Sequence, residues 1–414
     1  MSQIRINNLT NKTGDTGPTI AGICTVSSNA FMIMPSGDTA IRGARSGRMV
    51  FSGGYGSSSP YPELNVLDMV NITTEGNAVD FGDLTVGRTA NGMGGSASRG
   101  ILAAGRFPGP GNATNIIDYV TFSSSGNAND FGDLTVGRSA NGMGGNATRG
   151  IFAAGRFPGP GNATNIIDFV TFSSSGGAND FGDLNNDPCS STGFSDATRG
   201  VFSGGYDANN SPYLRTTAMT FITIASTGNS ADFGDSVRRG AKATSFSNST
   251  RGFTCGGNDR FDSPSPNTLH GRIEMTIIQT KGSTVDFGQI GMDNGPSFFT
   301  GNTGSNGGAA SQTRGIIFSG IGSPSAHRNV IEFLTLTTFG NSQNFGDLLN
   351  VGGGGGVTSS GNQIRGVVRT SSAYDGNILE QVTISTTGNA TDFGDLNTGR
   401  RSYGSVCDSH GGLG

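Results

Sequence analysis

A unit of about fifty residues recurs seven times along the chain. Each copy reads Arg-Gly, an apolar run that ends in glycine, a loop, a β-rich run, a glycine-containing turn and Phe-Gly-Asp. Single residues vary: Met49 follows the first arginine, and the fifth copy ends in Phe-Gly-Gln. One such unit cannot bury its own apolar face, so neighbouring units must stack to form a core. The repeat therefore constrains the architecture before any site is considered.

The phenylalanine of Phe-Gly-Asp marks the spacing of the copies. These residues are Phe81, Phe131, Phe181, Phe233, Phe287, Phe345 and Phe393, at intervals of 50, 50, 52, 54, 58 and 48 residues. In the third copy, residues 139–145, 151–155, 165–173 and 180–184 are candidate short strands, the first being the least strand-like. No helical period appears. Four short strands repeated seven times predict an all-β fold, a seven-bladed β-propeller of four-stranded blades.

The two ends of the chain complement each other. The first copy begins at Arg48 with no strand of the 139–145 type before it, whereas residues 400–407 follow the last Phe-Gly-Asp and align with that missing strand. We therefore expect the C-terminal strand to complete the first blade and close the ring. A linear solenoid would need polar capping units, and no copy has that character. The predicted domains are an extended arm, residues 1–42, and the propeller, residues 43–414.

Composition excludes several classes of partner. Apolar residues are 33% of the chain, and the 71 glycines bring the total to the range of packed proteins. A net charge of −4 without a run of lysine or arginine argues against nucleic acid. No segment approaches the roughly twenty apolar residues of a membrane span, so we expect no membrane insertion. The cysteines, none in CxxC spacing, predict neither a zinc site nor a disulfide framework; they are Cys24, Cys189, Cys255 and Cys407.

The arginine and aspartate that recur in every copy have two interpretations, seven binding sites or contacts between blades. We favour blade contacts and turn caps, because arginine offers a fork of donors to carboxylate or carbonyl groups. Asp-Phe-Gly also matches the magnesium motif of kinases, but the accompanying phosphate loop, lysine and His-Arg-Asp are absent. The Gly-Asn dipeptides fit tight hairpins that need positive φ.

Groups for catalysis are not identifiable. His270, His327 and His410 lie far apart without ligand spacing, and neither a Gly-x-Ser-x-Gly elbow nor a P-loop occurs. The ligand sets of a propeller copper oxidase or a sialidase cannot be assembled from adjacent copies. We therefore expect no catalytic residue, no metal and no cofactor, and a protein that is not an enzyme.

We expect recognition on the loops between the apolar run and the β-rich run. These loops have equivalent positions in every copy, so they should lie on one face of the ring. These loops are residues 55–65, 106–114, 156–164, 206–216, 258–271, 321–328 and 371–376. Aromatic residues beside arginines are typical of contact surfaces. The candidate ligand-binding residues are Tyr55, Tyr61, Arg106, Phe107, Arg156, Phe157, Tyr206, Tyr213, Arg215, Arg260, Phe261, Arg328 and Tyr374. The alternative is that the loops merely vary in length.

The layout of each unit resembles a known family. Gly-Arg-Ser-Ala-Asn-Gly-Met-Gly-Gly, Arg-Gly-Ile-Phe-Ala-Ala-Gly, Ile-Ile-Asp-Phe-Val-Thr-Phe and Phe-Gly-Asp-Leu together resemble the kelch repeat, without its common tryptophan, over residues 48–413. The units also resemble repeats in structural proteins of tailed bacteriophages, especially those of marine cyanobacteria. Residues 4–14 and 19–22 are similar to short N-terminal segments of phage fibre and appendage proteins. The resemblance implies a virion protein whose arm docks on the particle and whose propeller faces outward.

The resemblance and the missing catalytic groups together predict a non-enzymatic virion protein: a tail fibre, an appendage or a capsid-associated protein. Its partners would be other virion proteins, through the arm, and a host-surface glycan or protein, and it could form a homo-oligomer. The arm has an alternative as a terminus without fixed structure. Two other functions remain open: a purely architectural disc of the tail or capsid with no ligand, and a propeller enzyme that acts on host polysaccharide.

Overall fold

The structure of the chain is a computed structural model. It describes residues 47–56, 62–89, 92–106, 113–139, 142–156, 163–185, 188–189, 192–207, 216–237, 243–259, 268–269, 271–291, 307–322, 326–350, 359–370, 376–401 and 403–409. Within these ranges the chain forms strands and turns and no helix, which confirms the all-β prediction. The predicted arm, residues 1–42, lies outside them.

The described strands form seven four-stranded antiparallel sheets, the blades. From the inner to the outer edge, the strands of the first four blades are Gly404–Cys407, Arg48–Ser52, Val66–Asn71 and Val79–Asp83; Gly92–Gly95, Arg99–Ala103, Ile116–Thr121 and Asn129–Asp133; Gly142–Gly145, Arg149–Ala153, Ile166–Thr171 and Asn179–Asp183; and Thr192–Ser195, Arg199–Ser203, Ala218–Thr223 and Ala231–Asp235. In the last three blades they are Thr244–Ser247, Arg251–Cys255, Arg272–Ile277 and Val285–Gln289; Gly307–Ala310, Arg314–Gly322, Ala326–Thr335 and Gln343–Asp347; and Ser359–Gly361, Arg365–Arg369, Ile378–Thr383 and Thr391–Asp395. Short extra pairs join Tyr55–Gly56 to Arg400–Arg401, Pro188–Cys189 to Tyr206–Asp207, and Asn258–Asp259 to Thr268–Leu269.

All four predicted strand positions are strands. The glycine-rich inner segment Gly142–Gly145 has weak intrinsic β propensity, yet it pairs along its length with the second strand of its blade. Tertiary pairing thus overrides propensity, as is common for β-strands. Between the third and outer strands, every blade has a register shift at the same place, such as between Ile167 and Asp168.

The blades are arranged in a ring. The inner strand of each blade contacts the inner strand of the next, and that of the seventh contacts that of the first. The first blade takes its inner strand from the other end of the chain: Met49 pairs with Cys407, and Ser52 pairs with Gly404. The seven-bladed propeller, closed by the C-terminal strand, is confirmed.

The core lies between blades rather than inside them. Each of the seven interfaces holds its own cluster of buried apolar side chains. Between the second and third blades, for example, Ile117 and Phe131 pack with Phe152 and Phe172. One blade alone would leave these side chains in water, which is why the repeat has to be multiplied.

The recurring arginine at the start of each second strand joins neighbouring blades. Its guanidinium donates to a main-chain carbonyl at the end of the third strand of the next blade. The pairs are Arg48 with Phe122, Arg99 with Phe172 at 3.0 Å, Arg149 with Ile224 at 2.9 Å, Arg199 with Ile278 at 2.9 Å, Arg251 with Leu336 at 2.7 Å, Arg314 with Ile384 at 3.0 Å and Arg365 with Ile72 at 3.2 Å. The interpretation as blade contacts is therefore confirmed for the arginines.

Phe-Gly-Asp and the Gly-Asn turns provide a second connection. Gly126 N donates to Phe81 O at 2.7 Å, and Ala128 N donates to Asp83 O at 2.8 Å; equivalent main-chain bonds occur at all seven interfaces. Gly82 is required here, because its φ is +138° and a Cβ would lie 2.5 Å from the carbonyl carbon of Gly126. The bonds involve main-chain atoms, so Gln289 replaces the aspartate without losing its bond.

Antiparallel strands give the ring two different faces. The loops from second to third strand, and from the outer strand to the next inner strand, lie on one face, which we call the loop face. The turns from inner to second strand, and from third to outer strand, lie on the opposite face, the turn face. The described chain begins on the turn face, where Gly47 O accepts a hydrogen bond from Ile72 N at 2.6 Å.

Ring closure predicts the effect of removing the last strand. Deletion of residues 401–414 takes away a strand whose Val406 and Cys407 side chains are buried. The free energy of unfolding should fall by several kcal/mol, which should lower the melting temperature, measured by circular dichroism, by at least about 5 °C. The control is deletion of residues 410–414 alone, which spares the strand and should leave the melting temperature unchanged. Equal melting of the two truncations would refute closure by this strand.

The arginine between blades gives a second prediction. Replacement of Arg149 by Met leaves the Ile224 carbonyl without this donor, so the free energy of unfolding should fall by about 1–3 kcal/mol in urea titration. The matched control is Arg106→Met, since Arg106 is exposed and belongs to the loop face; its effect should stay within about 0.5 kcal/mol. An Arg149 variant as stable as this control would contradict the assignment.

Candidate binding surface

The loop face is built from two kinds of loop that pair with each other. In the second blade, Arg106 N donates to Thr89 O at 2.8 Å and Thr89 N donates to Arg106 O at 3.1 Å. On its other side Arg106 forms a bridge with Ala113. The third blade repeats this arrangement around Arg156. Main-chain pairing therefore fixes the backbone positions of Arg106 and Arg156 on the loop face.

Tyrosines take the same place in the first and fourth blades. Tyr55 pairs with Arg401 and forms a bridge with Glu63, while Tyr206 pairs with Cys189. The guanidinium carbon of Arg401 lies 5.8 Å from the centroid of the Tyr55 ring. From the first blade to the fourth, one structural position thus carries Tyr, Arg, Arg and Tyr.

These side chains are chemically suited to contact. Arg106 is exposed, and Arg156 and Tyr55 are half-buried. A guanidinium presents five donors in a rigid fork that fits carboxylate and phosphate groups. A tyrosine ring stacks on flat or apolar surfaces while its hydroxyl forms hydrogen bonds. Together these arginine and tyrosine side chains can bind a partner surface that is acidic or rich in hydroxyl groups.

The structure brings together some of the predicted contact residues. Tyr55, Arg106, Arg156 and Tyr206 occupy equivalent positions on the loop face. The residues that lie outside the described ranges are Tyr61, Phe107, Phe157, Tyr213, Arg215, Arg260, Phe261 and Tyr374. Binding by any of these residues stays a prediction.

The predicted loop at residues 321–328 is wrong. The second strand of the sixth blade continues to Gly322, and the third strand begins at Ala326, so that Arg328 lies in a strand opposite Gly320. Because the connection between them is short, the two strands stay paired beyond the point where those of the other blades separate. Arg328 therefore belongs to a strand rather than to a loop.

Buried ion pairs lie beneath the loop face. Arg88 Nη1 lies 2.9 Å from Asp118 Oδ2, with both side chains fully buried, and Arg88 Nη2 donates to Leu102 O at 2.8 Å. The equivalent pairs are Arg138 with Asp168 at 2.9 Å and Arg400 with Asp68 at 2.6 Å. Each arginine thereby holds the loop that precedes an inner strand to the second and third strands of the same blade.

The environment of these arginines explains why the pairs are structural. Burial lowers the pKa of Arg88 and Arg138, and the charge and hydrogen bond of the neighbouring aspartate oppose that effect. A guanidinium nevertheless stays protonated, so it cannot become neutral when its partner is removed. Breaking such a pair leaves an uncompensated buried charge, which is strongly destabilising.

An acidic residue in the middle of the third strand recurs in six blades, and the sequence analysis missed its role. Besides the three aspartates above, it is glutamate in the fifth to seventh blades, and the fourth blade has Thr220. Main-chain N–H groups of the adjacent loop donate to these glutamates: Val237 to Glu274 at 3.1 Å, Gly291 to Glu332 at 2.9 Å and Leu349 to Glu380 at 2.7 Å. The signal was one carboxylate inside an apolar run at a fixed place, where burial requires partners.

Serine hydroxyls join neighbouring inner strands. Ser195 Oγ donates to Gly145 O at 2.8 Å, and Ser245 Oγ donates to Gly193 O at 2.9 Å. A cavity of about 200 Å³ lies beside them, with Met93 in its lining. Among the described residues, no three His, Cys, Asp or Glu side chains are grouped to hold a metal ion.

The remaining sequence candidates for chemistry add little to the site. His270 and His410 lie outside the described residues, and His327 lies in the third strand of the sixth blade. Burial raises the pKa of the Cys255 thiol, with a smaller contribution from Glu274. No helix in the described part of the chain is long and apolar enough to cross a membrane.

Comparison with known proteins identifies no family for this chain. No protein-family model matches the sequence, and no curated protein matches it. One of the solved structures that match is described as "Structure of YjhT"; it is 11% identical, with a TM-score of 0.45. The match covers 57% of this chain and 80% of that chain. The propeller described above follows from the pairing of its own strands.

The buried pair of the third blade predicts a non-additive pair of variants. Arg138→Met should lower the free energy of unfolding by about 3–5 kcal/mol, because Asp168 then stays buried without its cation. Adding Asp168→Asn removes that charge while keeping an acceptor for Thr135, which donates to Asp168 at 2.7 Å. The double variant should therefore recover much of the lost stability in chemical denaturation. A double variant less stable than Arg138→Met would count against this assignment.

Proposed function

We propose that the chain is a non-enzymatic structural protein of a tailed-phage virion, whose propeller contacts a host surface or a neighbouring virion protein through its loop face. The kelch-like layout of the repeat and its likeness to repeats of phage structural proteins support the virion assignment. The arm, residues 1–42, would attach the protein to other virion proteins.

The use of the repeated residues carries this proposal. The recurring arginines bind main-chain carbonyls of the next blade, and the buried carboxylates hold loops in place. One fixed position on the loop face carries different side chains in different blades: it is Tyr55 in the first blade and Arg106 in the second. A rigid scaffold with varied, well-positioned loops is the usual basis of a recognition surface.

The polarity of the ring supports the same arrangement. The described chain begins at Gly47 on the turn face. An arm that attaches the protein from this side would leave the loop face directed away from the particle. The arginines and tyrosines of that face suit an acidic or hydroxyl-rich partner, such as a host glycan or protein.

A purely architectural disc is the second candidate. It is favoured by the connections between blades, which join each blade to the next through an arginine and through paired main-chain bonds. A disc of this kind would need no ligand on its loop face, so ligand binding separates the two functions.

Binding by the loop face is the prediction that tests the proposal. The full-length chain should bind a subset of a glycan array or intact host cells, and Arg106→Ala with Arg156→Ala should weaken that binding at least about tenfold through two lost cationic contacts. The control is Lys281→Ala, which removes an exposed cation from the turn face and should leave binding unchanged.

Other outcomes would replace the proposal. A full-length chain that binds nothing would favour the disc, and loss of viscosity of a host polysaccharide would favour an enzyme. Mass spectrometry of purified phage particles tests the virion assignment separately, because a structural protein should remain with the particle through density-gradient centrifugation.

A further inference from the structure

Three exposed apolar side chains lie together on the turn face. Ile277, Val285 and Phe339 are 48%, 44% and 60% exposed. Ile277 ends the third strand of the fifth blade and Val285 begins its outer strand, while Phe339 lies in a turn of the sixth blade. We call these three residues the turn-face patch.

The patch continues a buried core cluster to the surface. Val285 pairs directly with Met275, which is two residues from Ile277 on the same side of the sheet. The ring of Phe339 lies 5.1 Å from that of Phe287, which is two residues from Val285 in the outer strand. Met275 and Phe287 both belong to the core between the fifth and sixth blades. The three exposed side chains are therefore one apolar surface.

The other six interfaces are polar at most of the equivalent positions. In chain order these triplets are Asn71, Val79 and Ser125; Thr121, Asn129 and Ser175; Thr171, Asn179 and Thr227; Thr223, Ala231 and Lys281; Thr335, Gln343 and Thr387; and Thr383, Thr391 and Glu75. None of them has more than one apolar member. The repeat thus packs without an apolar triplet, so the fold does not require the patch, and exposed clusters of this kind mark contact surfaces.

We propose that residues 30–34 of the same chain cover the turn-face patch. These residues, Ala-Phe-Met-Ile-Met, are the longest uninterrupted apolar run in the first 46 residues. The described chain begins at Gly47 on the turn face, so residues 35–46 connect this run to the face that carries the patch. An apolar segment is thus connected to the face that carries an apolar surface.

The intervening segment is long enough for this contact. Residues 35–46 can span about 40 Å when extended. A globular domain of this size has a radius of gyration of about 20 Å, so the extended segment reaches about two such radii from Gly47 over the turn face. It contains Pro35, Gly37 and Gly43 among polar residues, and it has no apolar run of its own beyond two residues.

The chemistry of the two surfaces matches. Phe31 can pack edge to face against the exposed ring of Phe339, as aromatic pairs prefer. Met32 and Met34 are unbranched and polarisable, which suits an irregular surface made of Ile277 and Val285. Such a contact ties the base of the arm to the ring and leaves residues 1–29 available for another partner. It stands independently of the virion assignment.

Photo-crosslinking of the full-length chain tests this contact. Phe339 is replaced by p-benzoylphenylalanine, an aromatic substitute, and the irradiated protein is digested and analysed by mass spectrometry. We expect a crosslink within one chain to the peptide that contains residues 30–34. The control places the same probe at Thr227, the equivalent position between the third and fourth blades, and should not capture that peptide.

Contrary outcomes are well defined. A crosslinked product of twice the mass would overturn the proposal in favour of a second copy on the patch. Absence of any crosslink to residues 30–34, or capture of that peptide equally from Thr227, would also overturn it. As an independent measurement, Phe339→Ser should lower the melting temperature more in the full chain than in a chain without residues 1–34. Equal shifts in the two backgrounds would contradict the contact.

Discussion

The ring depends on the hydrogen bond that the arginine at the start of each second strand donates to a main-chain carbonyl of the next blade. Because the acceptor is a carbonyl, the residue that supplies it can be phenylalanine, isoleucine or leucine, as at Phe172, Ile224 and Leu336. The donor has no such freedom, since only arginine combines the required length with a fork of N–H groups. The repeat therefore keeps its donors and varies its acceptors.

The same principle extends to the charges beneath the loop face. Asp118 and Glu380 occupy one place in their blades, and both use their carboxylates to hold the loop that leads to an inner strand. Where arginine is present the contact is an ion pair, and elsewhere main-chain N–H groups are among the donors. Buried charges thus hold the loops from below, and the loop-face positions above are held by main-chain pairing.

The fold could be predicted from sequence because period and phase are properties of the chain itself. Seven copies, four strands in each, and a missing first strand supplied by residues 400–407 define a closed ring. The role of Glu274 was missed because strand-level patterns treat its segment as one apolar run, although a single carboxylate at a fixed place in that run signals a buried partner. The hairpin around Arg328 was missed because composition does not tell where paired strands separate. Of the candidate site, the equivalence of Tyr55 and Arg106 followed from alignment of the copies, whereas their exposure depended on local packing.

Ring closure also orders events during synthesis. The strand that contains Met49 is made well before its partner around Cys407, because hundreds of residues separate the two in sequence. Until then the first blade presents an unpaired strand edge, of the kind that can pair with another nascent chain. Pairing with residues 404–407 therefore does more than add a strand: it covers an edge on which neighbouring polysome products could join.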